Sequence, residues 1–181
     1  MNYSNTFLNQ ENNILYHGTH TKVHGKFKPS ISIHGKPWIY ATPFKEFALC
    51  YSGNKWNDLM INQSYYNNQL CLTEIINGSF DKIFNTDGYI YSFNKTDFYP
   101  INNSSINRKI IREYYSDRPI EAINEEYIKN IYKELEKSNI KLFKYPELPS
   151  FIKNRKEYMK TSADIIYQAT GDKSIYNLIS L

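Results

Sequence analysis

Three side chains suited to holding a ring and a sugar lie in two short blocks near the start of the chain and in the segment that continues the second block. Residues 15–19 place His17 directly before a glycine, residues 38–43 contain Tyr40, and Tyr51 follows eleven positions later. An imidazole can hydrogen-bond a hydroxyl group, and tyrosine rings stack well on a planar cation. The pattern therefore predicts a site for a flat aromatic ring and the sugar attached to it.

The glycine after the histidine adds a second chemical feature. Gly18 lacks a side chain, so a ligand can approach its backbone closely, and its N–H and C=O would fit a primary carboxamide. Each residue also has a plainer interpretation. Alone, His17 is more often a hydrogen-bonded structural histidine, and Tyr40 and Tyr51 are two of 17 tyrosines that would more often lie in a core.

Other common chemistries have little support in the sequence. A metal site built from His20, His24 and His34 would lack a cysteine or carboxylate at ligand spacing. Cys50 and Cys71 give neither a disulfide framework nor metal-ligand spacing. The sequence also contains no phosphate-binding glycine loop and no nucleophile elbow.

Composition limits the class of protein. A chain of 181 residues with 41% apolar residues is expected to form one domain over positions 1–181. Its net charge of +4 comes from scattered cations, which suit an anionic small molecule better than the dense basic stripe of a dedicated nucleic-acid platform. Residues 1–13 contain no apolar run, and no stretch approaches the roughly 20 apolar residues that span a bilayer. We therefore expect a cytoplasmic protein.

Periodicity and turn residues predict the elements that position these side chains. Strands are expected at 14–17, 38–41, 70–76, 79–84, 88–93 and 109–116. Helices are expected from Pro43 to about residue 51, at 124–139 and at 150–160. Asn124 could cap the second of these helices, with Glu125 and Glu126 in its first turn. The result is an α+β protein with a small, mostly antiparallel sheet and helices placed early and late.

In order and spacing, the two blocks resemble the ADP-ribosyltransferases of the diphtheria-toxin and poly(ADP-ribose)-polymerase type. Those enzymes carry a His, Tyr, Glu triad on three strands, and the glutamate precedes a tyrosine. Glu113, which is followed by Tyr114, is our choice for the third member. Glu121 is the alternative, because residues 119–123 also alternate. Glu125 and Glu126 are better explained as charges at a helix N-terminus.

The resemblance implies a split, antiparallel β core with flanking helices and a site for NAD⁺ as substrate, without a metal. It implies that His17 holds a ribose hydroxyl and that Gly18 holds the nicotinamide carboxamide. Thr19 would assist at the ribose. Tyr40 and Tyr51 would stack on the two faces of the nicotinamide ring.

The resemblance also implies the reaction. Cleavage of the nicotinamide–ribose bond develops positive charge on the ribose, and a carboxylate on the 2′-hydroxyl stabilises that charge. Glu113 would have this role, with His17 and Tyr40 as the other catalytic residues. The expected activity is mono-ADP-ribosylation of a macromolecular acceptor, protein or nucleic acid, which no motif identifies. A toxin, a defence or phage protein and an injected effector all fit.

Three alternatives stay open at this point. One is an NAD glycohydrolase, and another is a non-catalytic module on the same fold that binds ADP-ribose, nucleotide or a partner protein. The third is an RNA 2′-phosphotransferase, which is disfavoured because the chain has only four arginines. The branch of transferases defined by Arg, Ser-Thr-Ser and Glu-x-Glu is not matched in order.

Overall fold

The chain folds into two compact units built from strands and helices. The computed structural model describes residues 13–31, 36–66, 69–101 and 113–178. Unit 1 comprises Met1–Gly53 and Asp87–Ile131, and unit 2 comprises Asn54–Thr86 and Tyr132–Leu181. The α+β class is thereby confirmed, whereas a single catalytic domain over the whole chain stays a prediction.

The elements follow one another as short strands interrupted by helices. The described strands are β1 (Ile14–Thr19), β2 (Ser30–Ile31), β3 (Pro37–Ala41), β4 (Ile61–Tyr66), β5 (Gln69–Glu74), β6 (Gly88–Asn94), β7 (Tyr99–Pro100), β8 (Tyr114–Ser116), β9 (Asn124–Ile128) and β10 (Lys141–Phe143). The described α-helices are α1 (Lys45–Leu49), α2 (Ser79–Phe84), α3 (Ile131–Lys137) and α4 (Arg155–Thr170).

Unit 1 contains two antiparallel sheets that share one core. Their strand orders are β1-β6-β9 and β2-β3-β8-β7. Alternate residues of the strands enter the core, as expected for half-buried sheets. The core consists of Leu15, Phe27, Ile39, Ala41, Tyr91, Phe93, Phe98 and Ile120.

The two sheets of unit 1 meet at one backbone bridge. The N–H of Tyr16 donates to the carbonyl of Thr42 at 2.7 Å, and the N–H of Thr42 donates back at 2.9 Å. In the described residues this is the one bridge between β1 and the end of β3, because Thr42 directly follows that strand. At the next paired position the strands part, and Tyr40 pairs with Tyr115 on β8 instead.

Two glycines allow the α1 segment to lie directly on the sheet. A Cβ atom on Gly18 would overlap the carbonyl oxygen of Ala48, and one on Gly88 would overlap that of Ser52. The buried Ser52 hydroxyl donates to the carbonyl of Tyr89 at 3.1 Å. The backbone of residues 48–52 is thus fixed against β1 and β6.

Unit 2 is organised around β5, which pairs antiparallel with β4 and parallel with β10. The buried Glu74 ends β5. Its Oε1 accepts the N–H of Phe80, the second residue of α2, and its Oε2 accepts the N–H of Tyr145, each at 2.9 Å. A smaller cluster of Leu59, Ala163 and Ile175 packs beside α4.

The predicted helix at 124–139 is wrong in its first half. Residues 124–128 form β9, which pairs along its whole length with β6, and the helix begins only at Ile131. Asn124 therefore caps no helix, and Glu125 and Glu126 lie on a strand. Backbone pairing with β6 outweighs the helical spacing of the apolar residues here.

The predicted strand at 79–84 is also wrong, because these residues form α2. Phe80, Ile83 and Phe84 are almost fully buried and follow helical spacing. The late helix begins at Arg155, later than residue 150, and the Asn154 side chain caps it by accepting the N–H of Glu157 at 3.1 Å. Of the predicted strand at 109–116, Tyr114–Ser116 is observed, and residues 109–112 lie outside the described residues.

Candidate functional site

His17 connects the two sequence blocks through a hydrogen bond to the backbone. Its Nδ1 lies 2.6 Å from the carbonyl oxygen of Tyr40, which is 23 residues away. Burial lowers the pKa of the imidazole from 6.5, so the ring is neutral at neutral pH. A carbonyl oxygen only accepts, so Nδ1 carries the proton and Nε2 presents a lone pair. The ring is therefore set to accept a hydrogen bond from a hydroxyl group.

The ring of His17 is also fixed by packing. Phe27 meets it edge to face, with ring centroids 5.3 Å apart and an angle of 80° between the planes. Phe27 belongs to the core of unit 1. A hydrogen bond and an aromatic contact together hold the imidazole in one orientation.

Gly18 lies where β1 and β3 part. Its N–H and C=O point to the same strand edge as those of Tyr16, because backbone groups alternate along a strand. Tyr16 uses that edge to bond Thr42, but no backbone hydrogen bond joins Gly18 to β3 in the described part of the chain. Both polar groups of Gly18 therefore face the separation between the strands.

Thr19 ends β1 and is engaged in a local turn. Its hydroxyl accepts the N–H of Thr21 at 3.2 Å and contacts the carbonyl of Thr21 at 3.4 Å. The predicted contact of Thr19 with a ribose stays a prediction.

Tyr40 and Tyr51 lie on the same side of unit 1. Tyr40 projects from β3 on the face opposite the core residues Ile39 and Ala41, and it is half-buried. The α1 segment covers that same face next to Gly18, and Tyr51 follows α1 with 44% of its surface exposed. The segment that carries Tyr51 thus lies on the side of the sheet from which Tyr40 projects, and stacking of the two rings on one ligand stays a prediction.

Glu113 lies immediately before β8, and its carbonyl accepts the N–H of Ile101 at 2.9 Å. Tyr114 packs toward the core, and Tyr115 is paired with Tyr40. Alternation along the strand therefore places the half-buried Glu113 on the face of Tyr115 and Tyr40. The glutamate and the tyrosine predicted for the triad share one face of adjacent strands.

Glu121, the alternative third residue, has a different environment. It follows Ile120, whose backbone bridges Phe27, and lies outside the described strands. Its side chain is 71% exposed, with an oxygen 3.8 Å from the Lys26 ammonium. This is the environment of a solvated surface carboxylate.

A network around Glu125 was missed in the sequence because this residue was assigned to a helix. On β9, Glu125 accepts a hydrogen bond from the Tyr91 hydroxyl at 3.0 Å and pairs with Lys22 at 2.8 Å. The hydrogen bond from Lys22 lowers the pKa of the carboxyl. The Tyr91 hydroxyl also accepts the N–H of Val23 at 2.8 Å. The network fixes the start of the loop that follows the His-Gly-Thr sequence.

The residues that the structure describes offer neither a cluster of metal ligands nor a helix that could span a membrane. No group of three or more His, Cys, Asp or Glu side chains in the described ranges could hold a metal ion, and His34 falls outside those ranges. Cys50 and Cys71 are buried, and burial raises the pKa of the Cys50 thiol. Among the helices of the described ranges, none combines the length and apolarity that crossing a membrane requires.

No known protein family, curated protein or solved structure matches this chain.

Proposed function

We propose that this protein is an NAD-dependent mono-ADP-ribosyltransferase that modifies a macromolecular acceptor. The observation that carries the proposal is the hydrogen bond from His17 to the carbonyl of Tyr40 at the point where β1 and β3 part. It joins the two sequence blocks in one place and leaves Nε2 as an acceptor. A split between two antiparallel sheets is also what the resemblance to these transferases implies.

The reaction exchanges one glycosidic bond for another. The bond between C1′ of the ribose and the nicotinamide nitrogen breaks, and nicotinamide leaves with the electron pair. A new bond forms between C1′ and a nucleophilic atom of the acceptor, whose proton is released to solvent. The protein must stabilise the positive charge that develops on the ribose.

The candidate residues divide these tasks, with His17 on the core side of β1 and Tyr40 on the face of β3 that points away from the core. Nε2 of His17 accepts a ribose hydroxyl, and the backbone of Gly18 binds the carboxamide of nicotinamide. Tyr40 and Tyr51 stack on the ring, which is positively charged before cleavage. The carboxylate of Glu113 bonds the 2′-hydroxyl and stabilises the developing charge, so it contributes mainly in the transition state.

The choice of Glu113 over Glu121 rests on their surroundings. Glu113 is half-buried on the face that carries Tyr40, where a low local dielectric strengthens its effect on a nearby charge. Glu121 is 71% exposed and lies beside Lys26. A carboxylate screened by water and a cation would stabilise little charge on a ribose.

The test is incubation of the purified protein with NAD⁺ labelled on the adenylate phosphate, with and without cell lysate. Free nicotinamide and label on macromolecules are both followed. We expect release of nicotinamide and transfer of label, both abolished by Glu113→Gln and retained by the matched variant Glu121→Gln. Release without transfer would replace the proposal with a glycohydrolase. No release from the folded protein would contradict it.

A further inference from the structure

A row of three paired residues crosses the sheet β1-β6-β9 on the face that carries His17. His17 pairs with Tyr91 on the central strand, and Tyr91 pairs with Glu125 on the far strand. Residues that pair directly across antiparallel strands project to the same face of the sheet. Glu125 therefore lies two strands away from the imidazole on its own face, with Tyr91 between them.

The Tyr91 hydroxyl has its donor and its acceptor role determined by its two partners. An ionised carboxylate only accepts, so the hydroxyl donates its proton to Oε2 of Glu125 at 3.0 Å. A backbone N–H only donates, so the same hydroxyl oxygen accepts from Val23 at 2.8 Å. Oε1 of Glu125 lies 2.8 Å from the Lys22 ammonium. One carboxylate thus holds residues 22 and 23, once directly and once through a buried tyrosine.

The segment held in this way packs against the imidazole a few residues further on. The ring of Phe27 contacts His17 edge to face, with centroids 5.3 Å apart, and it contacts Tyr91 with centroids 4.8 Å apart. The backbone of Phe27 also bridges Ile120. The position of the Phe27 ring therefore depends on Tyr91 and on the course of the chain from residue 22 to residue 27.

We propose that Glu125 is a positioning residue of the NAD⁺ site, which keeps Nε2 of His17 aimed at the ribose hydroxyl. It acts through Tyr91 and Phe27 and not on the reacting atoms. The proposal rests on the function proposed above and adds a residue to that site. The alternative is a local role, in which Glu125 only ties down the loop after β1 and the bond to Tyr40 alone holds the imidazole.

Two substitutions interrupt this path at different points. Tyr91→Phe keeps the ring that packs on Phe27 and removes the hydroxyl that accepts from Val23. Glu125→Gln replaces one carboxylate oxygen by an amide N–H₂, so Tyr91 and Lys22 no longer have one acceptor oxygen each. Both changes nearly conserve volume, so we expect the core packing to be retained.

Glu126→Gln is the matched control. The side chain of Glu126 is 40% exposed, against 33% for Glu125, and it pairs with Lys45 at 2.6 Å. Adjacent residues of a strand project to opposite faces, so this carboxylate lies on the face of β9 away from His17. The substitution removes one negative charge and one lysine partner from the same strand and leaves the hydroxyl of Tyr91 with its two partners.

The first measurement needs no NAD⁺. Nitrogen NMR of the His17 ring, assigned by its absence in His17→Gln, reports which ring nitrogen carries the proton and how fast that proton exchanges with water. In the unmodified chain we expect the proton on Nδ1, protected by the bond to Tyr40. In Tyr91→Phe and in Glu125→Gln its exchange should be about tenfold faster, because the ring is less firmly held. Unchanged exchange in both variants would assign Glu125 the local role and overturn the proposal.

The second measurement is NAD⁺ affinity by calorimetric titration, together with kcat and KM from nicotinamide release. Tyr91→Phe and Glu125→Gln should each weaken binding about fivefold to tenfold, with more effect on KM than on kcat, because the ribose contact of His17 is misplaced. The double variant should lose no more than either single variant, since both interrupt one path. Losses that add, or an equal loss in Glu126→Gln, would overturn the proposal.

The two proposals fail in different ways. If Tyr91→Phe and Glu125→Gln change the exchange of the His17 proton but the unmodified chain neither binds nor cleaves NAD⁺, the transferase fails while the positioning of the imidazole by Glu125 stands. If the unmodified chain cleaves NAD⁺ and both variants match it in affinity and KM, the transferase stands and the positioning role is excluded.

Discussion

Two glutamates, one at the end of β5 and one directly before β8, differ in which of their groups form hydrogen bonds with the rest of the fold. Glu74 is 6% exposed, and both of its carboxylate oxygens accept backbone N–H groups, from Phe80 and Tyr145. Glu113 is held through its backbone carbonyl, which accepts the N–H of Ile101. Its carboxylate makes no hydrogen bond to another residue in the described ranges. The carboxylate of Glu74 is bound by the fold and stabilises structure, whereas the described contacts of Glu113 hold its backbone.

The largest expected effect is on turnover at Glu113. Glu113→Gln keeps the shape and removes the charge that we propose stabilises the ribose cation, so kcat should fall by about a thousandfold or more. The free energy of unfolding should change by less than about 1 kcal/mol, because glutamine has the same shape and the described hydrogen bond of Glu113 uses its backbone carbonyl. Nicotinamide release and chemical denaturation measure the two quantities. A large loss of stability would make Glu113 a structural residue like Glu74.

Replacing Glu74 by glutamine should lower the stability of the fold and leave turnover unchanged. In Glu74→Gln the amide N–H₂ replaces one acceptor, which leaves a backbone N–H of Phe80 or Tyr145 unpaired in a buried place. We expect a loss of about 2–3 kcal/mol in the free energy of unfolding, with the turnover of the folded fraction retained. Urea denaturation monitored by circular dichroism provides the check. Unchanged stability would show that these two hydrogen bonds contribute little.

A smaller effect is expected at Gly18, where the added atom would meet backbone. Gly18→Ala should cost about 2 kcal/mol and weaken NAD⁺ binding, because the α1 segment that carries Tyr51 must shift. Gly78→Ala is the comparison: its φ of 80° strains an alanine by about 1 kcal/mol, with nothing in contact. Calorimetric NAD⁺ titration should separate the two variants. Equal NAD⁺ affinity would contradict our placement of Gly18 in the site.

The smallest effect is the dependence on pH through His17. Its pKa in the fold is lowered from 6.5 by burial, so the unfolded chain takes up this proton first as the pH falls. The stability that His17 contributes is complete above pH 6.5 and is lost as the pH falls toward its pKa in the fold. NAD⁺ binding should weaken over the lower part of this range, where Nε2 gains a proton. His17→Gln should flatten both profiles below about pH 6.5.

Local sequence signals were sufficient for β1 and β3 but not for β9. The blocks around His17 and Tyr40 are apolar runs bounded by glycine and proline, and each forms the expected strand. In 124–139, Tyr127 and Ile128 fit a helical stripe and strand alternation equally well. Only the neighbouring β6, which pairs with residues 124–128, decides between them. A partner distant in sequence leaves no trace in a local window.

The sequence predicted which side chains form the candidate site but not the contacts between them. The sequence drew attention to His17, Tyr40 and Glu113 by type and spacing. The bond that joins the first two uses a backbone carbonyl, which every residue has, so no residue type could indicate it. The contacts of the Tyr115 ring with Trp38 and Tyr99 were missed for a similar reason, because these rings meet only through strand register.

In the proposed site, position 40 would contribute two different groups, and only one of them depends on which amino acid is encoded there. The ring of Tyr40 changes with the codon, but its carbonyl is supplied by whichever amino acid is placed there. A substitution at this position would therefore change ring binding alone, because the backbone carbonyl that orients His17 is present whatever the residue. Chains that lost the tyrosine would keep an aligned histidine, and a ring-binding function could be regained by one substitution.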